Sequence, residues 1–177
     1  MGATFQLRKA WLGHNPTGGI NVPFRSTAIV DNELYFYSID TSNSVSPTDS
    51  PILRPTDSTY NKSFENWIYL KMTKAPSGYC NNFKFWGPTE NPVASAFIYC
   101  SAASFALFHT PLISSSRCNL LGTNYYSPGT GKSVPGRCSQ VGSSTGYFIM
   151  QVRISSASFI GQVSGEGAVW HYSFDEV

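Results

Sequence analysis

The chain is poor in charged residues, and this scarcity already narrows its possible partners. Asp, Glu, Lys and Arg make up 12% of the 177 residues, about half the share that is usual in soluble proteins. Twelve basic and ten acidic residues give a formal net charge of +2, so no overall charge attracts nucleic acid or anionic lipid. We therefore predict that the protein binds neither nucleic acid nor a membrane.

Long apolar runs are also lacking. No run reaches the roughly 18 residues that a membrane helix needs. The beginning of the chain, MGATFQLRKAWLGHNPTGG, lacks the apolar core of a signal peptide. These two absences predict a protein that is made in the cytoplasm.

Helical periodicity is almost absent. No stretch of about 11 residues carries apolar positions at i, i+3, i+4 and i+7, the spacing of an amphipathic helix. The chain contains fifteen glycines and eleven prolines, and both residue types interrupt helices. We predict at most a single helical turn, over Asn61–Glu65.

Alternation of apolar and polar residues, the period of a half-buried strand, runs through most of the chain instead. In Asn66–Thr73, Ile68, Leu70 and Met72 share one face, and Tyr147–Ile154 alternates in the same way. The predicted strands are Thr4–Trp11, Phe24–Val30, Glu33–Ile39, Asn66–Thr73, Tyr79–Trp86, Val93–Ser101, Ser104–His109, Tyr147–Ile154 and Ala168–Phe174. The pattern predicts an all-β fold, an antiparallel β-sandwich that is jelly-roll-like, with a closed barrel as the alternative.

Two long polar loops and an N-terminal arm complete the predicted organisation. Thr41–Tyr60 contains three prolines, and Asn119–Ser144 is rich in Gly, Ser and Pro. Loops of this length are uncommon in compact domains unless they bind something. We predict that residues 1–22 form the arm and that residues 23–177 form a single β-sandwich domain.

The four cysteines are too far apart in sequence for a typical metal knuckle. Cys80, Cys100, Cys118 and Cys138 are separated by 20, 18 and 20 residues, whereas a structural zinc site usually takes two ligands from one close pair. Cysteine is among the most often buried residues, which favours free buried thiols. Disulfides are the alternative, with three possible connectivities.

Recognisable catalytic motifs are missing as well. GTGKS at Gly129–Ser133 has Tyr126 where a phosphate-binding loop requires its first glycine, and no G-x-S-x-G motif of a serine hydrolase occurs. Most carboxylates fall at predicted turns or termini, where Asp caps backbone groups. We predict no catalytic residue, cofactor or metal. The enzymatic alternative is a glycan hydrolase whose acids come from separate loops.

Aromatic residues, by contrast, are abundant, at 15% of the chain. Large aromatic side chains fill cores and suit pleated sheets, so we expect the tryptophans to lie mainly in the core or at subunit interfaces. The alternative is a carbohydrate platform on a sandwich face. The tryptophans are Trp11, Trp67, Trp86 and Trp170.

Two segments carry a resemblance to known proteins. FENWIYLKMTKAPSGYCNNFKFWGP (Phe64–Pro88) resembles a segment of small virion proteins of tailed bacteriophages, in which a Trp-containing strand is followed by a turn and an N-x-K-F-W strand. The ending VWHYSFDEV (Val169–Val177) resembles their closing strand. Such proteins include capsid decoration (cement) proteins, which are commonly trimers on the icosahedral lattice. The resemblance implies that role here, and no family site residue is carried over.

Composition and resemblance together lead to one functional expectation and one alternative. We expect a non-enzymatic protein of the virion that decorates and stabilises the capsid by binding the major capsid protein and copies of itself, as a homotrimer. The alternative is a carbohydrate- or receptor-binding module of a phage tail or fibre or of a secreted protein. Because Tyr and Arg dominate binding hot spots, the predicted interface anchors in the two loops are Arg54, Tyr125, Tyr126 and Arg137.

Overall fold

The structure of the protein is a computed structural model that describes part of the chain. The described residues are 2–12, 25–29, 36, 38, 51–57, 60–87, 96–104, 119–120, 131–157 and 171–177. Within them lie ten strands and no helix. The strands are β1 (Thr4–Leu12), β2 (Arg25–Ile29), β3 (Tyr60–Lys62), β4 (Asn66–Lys74), β5 (Cys80–Trp86), β6 (Ala96–Ala103), β7 (Asn119–Leu120), β8 (Lys132–Val134), β9 (Tyr147–Ser155) and β10 (His171–Glu176).

The all-β, antiparallel class predicted from the alternation is confirmed for this part of the chain. Every strand pairing between the described strands is antiparallel. Strands β1, β2, β4, β5, β6, β9 and β10 lie where the alternation predicts them. The predicted strands Glu33–Ile39 and Ser104–His109 lie almost entirely outside the described residues.

The helical turn predicted over Asn61–Glu65 is wrong. Asn61 and Lys62 belong to β3, where they pair with Ile154 and Arg153 of β9. The amide of Ser63 continues this pairing by donating a hydrogen bond of 2.9 Å to the carbonyl of Val152. Pairing with a distant strand therefore overrides the weak local helix preference of this segment.

The larger sheet has seven strands in the order β2-β1-β4-β9-β6-β7, with β3 also paired to β9. Strand β1 lies between β2 and β4, with Arg8 opposite both Ile29 and Tyr69. Residues 4–12 of the predicted N-terminal arm are therefore an internal strand of this sheet. The smaller sheet has three strands in the order β10-β5-β8.

One apolar cluster contains side chains of both sheets. Ile68, Leu70 and Met72 of β4 and Phe148 of β9 pack in the same buried cluster as Phe83 and Phe85 of β5. Trp67 and Tyr69, the alternate residues of β4, lie in a second buried cluster with Tyr147 and Ile149. The predicted division of β4 and β9 into two faces is confirmed, and both faces are buried.

Residues 131–146 connect the two sheets. Strand β8 pairs with β5 in the small sheet, and the segment then turns at Gln140–Ser143, where Gly142 has a φ of 92°. After the turn, the amide of Thr145 donates to the carbonyl of Leu70 in the large sheet at 3.0 Å. This part of the predicted loop Asn119–Ser144 is thus ordered by pairing with both sheets, and we refer to residues 131–146 as the junction.

Candidate binding surface

The small sheet has one face in the core and one face turned away from it. Phe83, Phe85 and Val134 point into the core cluster, so their neighbours along the strands point to the opposite side. We call this opposite side the outer face. It consists of Tyr79, Asn81, Lys84, Trp86, Ser133, Arg137, His171, Ser173 and Asp175.

Trp86 and His171 form one end of the outer face. They are directly opposite each other in the β5–β10 register, and their rings stack with centroids 5.5 Å apart and an interplanar angle of 14°. Trp86 is half-buried and His171 is exposed. The stack holds both rings upright on the sheet surface.

Tyr79 and Arg137 form the other end. The guanidinium carbon of Arg137 lies 3.8 Å from the centroid of the Tyr79 ring, a cation–π contact that stabilises by about 0.5–1 kcal/mol at an exposed site. Tyr79 is separated from Trp86 by seven positions along the chain. Because Asn82 is the extra residue of a β-bulge, six steps of about 3.3 Å put the backbone positions of Tyr79 and Trp86 roughly 20 Å apart.

The middle of the outer face is polar and carries little charge. Lys84 lies opposite Ser173 on one side and Ser133 on the other. A β-bulge lies beside them, because Asn82 and Phe83 oppose the single residue Phe174.

Asn82 adopts the left-handed conformation that the bulge requires, with a φ of 51°, and asparagine tolerates this conformation better than most residues. Its side-chain amide donates a hydrogen bond of 2.8 Å to a carboxylate oxygen of Asp175. This bond holds β10 against β5 beside the bulge.

The small sheet also ends in two strand edges. In the described part of the chain, β8 and β10 each pair only with β5 within this sheet. Edge strands present backbone donors and acceptors to another chain. The outer face and these two edges together form the candidate binding surface.

The predicted interface anchors have different positions. Arg137 lies on the outer face, whereas Arg54 is exposed in residues 51–57, which contact the large sheet through Ile52 and through the carbonyl of Leu53. Tyr125 and Tyr126 lie outside the described residues. Arg54 and Arg137 therefore lie beside different sheets.

Trp67 is a core residue, as the core interpretation of the tryptophans predicts. It is fully buried, and its indole N–H donates a hydrogen bond of 3.0 Å to a carboxylate oxygen of Glu65. Trp86 is the tryptophan that the structure places on the outer face. The side chains of Trp11 and Trp170 lie outside the described residues.

Sequence analysis did not single out Tyr79 or the Trp86–His171 pair. The outward alternation of His171 was a usable signal for one member of the pair. No signal existed for the contact between Tyr79 and Arg137, because these residues are far apart in sequence and meet only through the pairing of β5 with the junction.

The described ranges contain no group of three or more His, Cys, Asp or Glu side chains arranged to hold a metal ion. They also contain no helix of the length and hydropathy needed to cross a membrane. Comparisons with protein-family models, curated proteins and solved structures find no match to this chain.

Proposed function

We propose that the protein is a non-enzymatic structural protein of a virion, which decorates and stabilises the capsid by binding the major capsid protein and neighbouring copies of itself. The observation that carries the proposal is the outer face of the small sheet. It is a polar surface roughly 20 Å long with a ring stack at one end and a cation–π pair at the other. Trp, Tyr and Arg are the residues enriched in protein interfaces and their hot spots.

The two segments that resemble bacteriophage virion proteins support this choice of partner. Phe64–Pro88 includes β4 and β5, and Val169–Val177 includes β10. Although these segments are far apart in sequence, β5 and β10 are hydrogen-bonded neighbours. The resemblance therefore falls on the two strands that form most of the outer face.

The same proposal includes a jelly-roll-like β-sandwich. Its support is the core cluster to which β4 and β9 of one sheet and β5 and β8 of the other contribute. A sandwich exposes sheet edges, and strand addition at an edge is a common way for one protein chain to bind another. We assign contacts between copies in a homotrimer to the edges β8 and β10.

The first test is whether the protein is part of the particle. Purified virions of the virus that encodes the chain should contain it in a stoichiometric amount by quantitative mass spectrometry. Light scattering of the recombinant protein should give the mass of three chains. Absence from purified virions would overturn the proposal, and a monomer would overturn the assignment of the edges.

The second test locates the binding surface. Particles stripped of the protein are sedimented with each variant, and the bound fraction is measured. Trp86→Ala and Arg137→Ala should each weaken binding at least about fivefold, because loss of a hot-spot side chain costs more than about 1 kcal/mol.

Two matched variants on the large sheet serve as controls. Tyr60→Ala removes an exposed aromatic ring from β3, and Lys74→Ala removes an exposed cation from β4. Both should bind like the wild type. Equal weakening by all four substitutions would show that the outer face is not the contact surface.

Carbohydrate binding is a second candidate, favoured by the surroundings of Trp86. Phe85 pairs with Lys132 in the β5–β8 register, and continuing this register by one residue places Gly131 beside Trp86. His171 stacks on the indole from the β10 side, while glycine adds no side chain on the β8 side. Sugars stack on the face of an aromatic ring that no other side chain covers.

A glycan array separates the two candidates. Binding that Trp86→Ala abolishes and Tyr60→Ala preserves would support carbohydrate recognition. An array without binding, measured on protein that still binds particles, would exclude it.

A further inference from the structure

Cys80 and Cys138 face each other across two strands. The amide of Cys80 donates to the carbonyl of Cys138 at 2.7 Å, and the amide of Cys138 donates to the carbonyl of Cys80 at 2.9 Å. Residues that exchange both hydrogen bonds are directly opposite, with Cα atoms about 5.5 Å apart and side chains on the same side of the sheet. Disulfides join residues whose Cα atoms are roughly 4.4–6.8 Å apart, so the Cα spacing of this pair falls within the range of a cystine.

The two thiols are buried, and their environment keeps them protonated. Both residues are fully buried in the core cluster. Burial, and secondarily the nearby charge of Cys80, raises the pKa of Cys138 to about 11. Burial, and secondarily the Glu176 carboxylate, also raises the pKa of Cys80. Thiolate is the form that attacks a disulfide, so exchange in the folded protein should be slow, as expected for a structural cross-link.

We propose that Cys80 and Cys138 are the site of an intramolecular disulfide that fastens β5 to the junction. In the reaction with oxidised glutathione, one cysteine thiolate attacks a glutathione sulfur and releases one glutathione thiolate. The second cysteine thiolate then attacks the mixed disulfide and releases the other. The two cysteines lose two protons and two electrons, and one glutathione disulfide becomes two glutathione thiols.

Cys100 is in a different position. It is buried in β6 of the large sheet, and its register partners are Asn119 and Met150. Among the three described cysteines, only Cys80 and Cys138 are opposite each other in a strand pair, and these two are thiols in the structure. Of the three connectivities open to four cysteines, the structure thus favours the one that contains Cys80–Cys138.

The cross-link should stabilise the protein measurably. It would close a loop from position 80 to position 138, and closing a loop of this length in the unfolded chain raises the melting temperature by roughly 5–15 °C. Opposite Cβ atoms of a strand pair are about 4.5–5.5 Å apart, and a pair that exchanges both hydrogen bonds lies toward the wide end, about 1 Å or more beyond the roughly 3.5–4.5 Å of a cystine. The required approach of the two strands reduces the gain toward the lower end of this range.

Mass spectrometry of tryptic peptides tests the pairing directly. Each cysteine lies on its own tryptic peptide, because cleavage sites separate residues 75–84, 85–117, 118–132 and 138–153. The protein is treated with oxidised glutathione in the folded state and, in a parallel sample, refolded from urea in a glutathione redox buffer. Free thiols are blocked with iodoacetamide before digestion.

The expected product is peptide 75–84 joined to peptide 138–153, in the folded sample, the refolded sample or both. It should be lost in Cys80→Ala and Cys138→Ala and retained in Cys100→Ala. The oxidised protein should melt several degrees above the reduced protein. The proposal is overturned if both samples give only glutathione adducts, unreacted thiols or other cysteine pairs, or if the linked protein melts no higher than the reduced one.

Discussion

Replacing Gly146 with alanine tests the packing of the end of the junction against Pro135, near its start, and against β6 of the large sheet. The Gly146 amide donates a hydrogen bond of 2.6 Å to the carbonyl of Pro135. A Cβ atom on Gly146 would overlap the carbonyl oxygen of Ala103 and would lie 2.8 Å from both Cγ and the carbonyl oxygen of Pro135. Because both oxygens belong to the backbone, the methyl group fits only if a chain segment moves.

The cost follows from this movement. Overpacking a buried site costs about 1–3 kcal/mol, and losing a buried backbone hydrogen bond adds about 1–3 kcal/mol. The smaller entropy of the unfolded alanine chain offsets about 0.4–1 kcal/mol of this. We expect Gly146→Ala to lower the free energy of unfolding by about 3 kcal/mol, which lowers the melting temperature by roughly 6–12 °C.

Urea unfolding followed by tryptophan fluorescence measures this change, with Gly2→Ala as the control. A Cβ atom on Gly2 would meet only a carboxylate oxygen of the Glu176 side chain, at 3.4 Å, so the control should stay within about 0.5 kcal/mol of the wild type. If Gly146→Ala unfolds at the same urea concentration and with the same slope as Gly2→Ala, the close approach of Gly146 to the backbone of Ala103 and Pro135 is refuted.

Three further predictions concern the small sheet. Asn82→Ala should destabilise the protein by about 1–3 kcal/mol, because it loses the hydrogen bond to Asp175 and places alanine in a left-handed conformation. Asn82→Gly should destabilise it less, because glycine adopts this conformation without strain. Thermal melts in which Asn82→Gly is the less stable variant would contradict this account. Gly78→Ala should lower the free energy of unfolding by about 1–3 kcal/mol, because its Cβ atom would overlap the carbonyl oxygen of Val177. The Tyr79 amide donates to the same oxygen, so this amide should exchange its hydrogen faster in the variant. Unchanged protection of the Tyr79 amide would contradict the prediction. The free energy of unfolding of the reduced protein should fall by about 2–3 kcal/mol as the pH rises from about 9 to 11. The reason is that the pKa of Cys138 is raised to about 11 in the folded protein, so the unfolded chain loses the thiol proton at a lower pH. Cys138→Ala should lack this part of the decline in urea titrations, and an identical decline in both proteins would show that the thiol does not contribute.

The candidate surface was only partly predictable. Arg137 was expected to be an anchor because arginine is common in hot spots, and it lies on the outer face. Arg54 satisfied the same composition rule and lies beside the large sheet. The rule describes residue types, whereas membership of one surface depends on which strands are neighbours.

The left-handed Asn82 and its bulge show a second kind of limit. Asn81 and Asn82 lie inside Tyr79–Trp86, whose sequence predicts an ordinary strand. Only the pairing with β10, in which one residue opposes two, requires the extra residue and its positive φ. Local sequence preference allows this conformation and does not demand it.

Sequence alone determined the all-β class, the positions of the long strands and the two faces of β4 and β9. These properties depend on the alternation of side chains along one strand, which is a local property with a period of two residues. Tertiary structure alone decided the rest: the internal position of β1, the strand assignment of Asn61 and Lys62, the contact between Tyr79 and Arg137, and the choice of Cys138 as the partner of Cys80. Each of these depends on register between segments that are distant in sequence, and register is set by the combined burial and hydrogen bonding of the whole sheet.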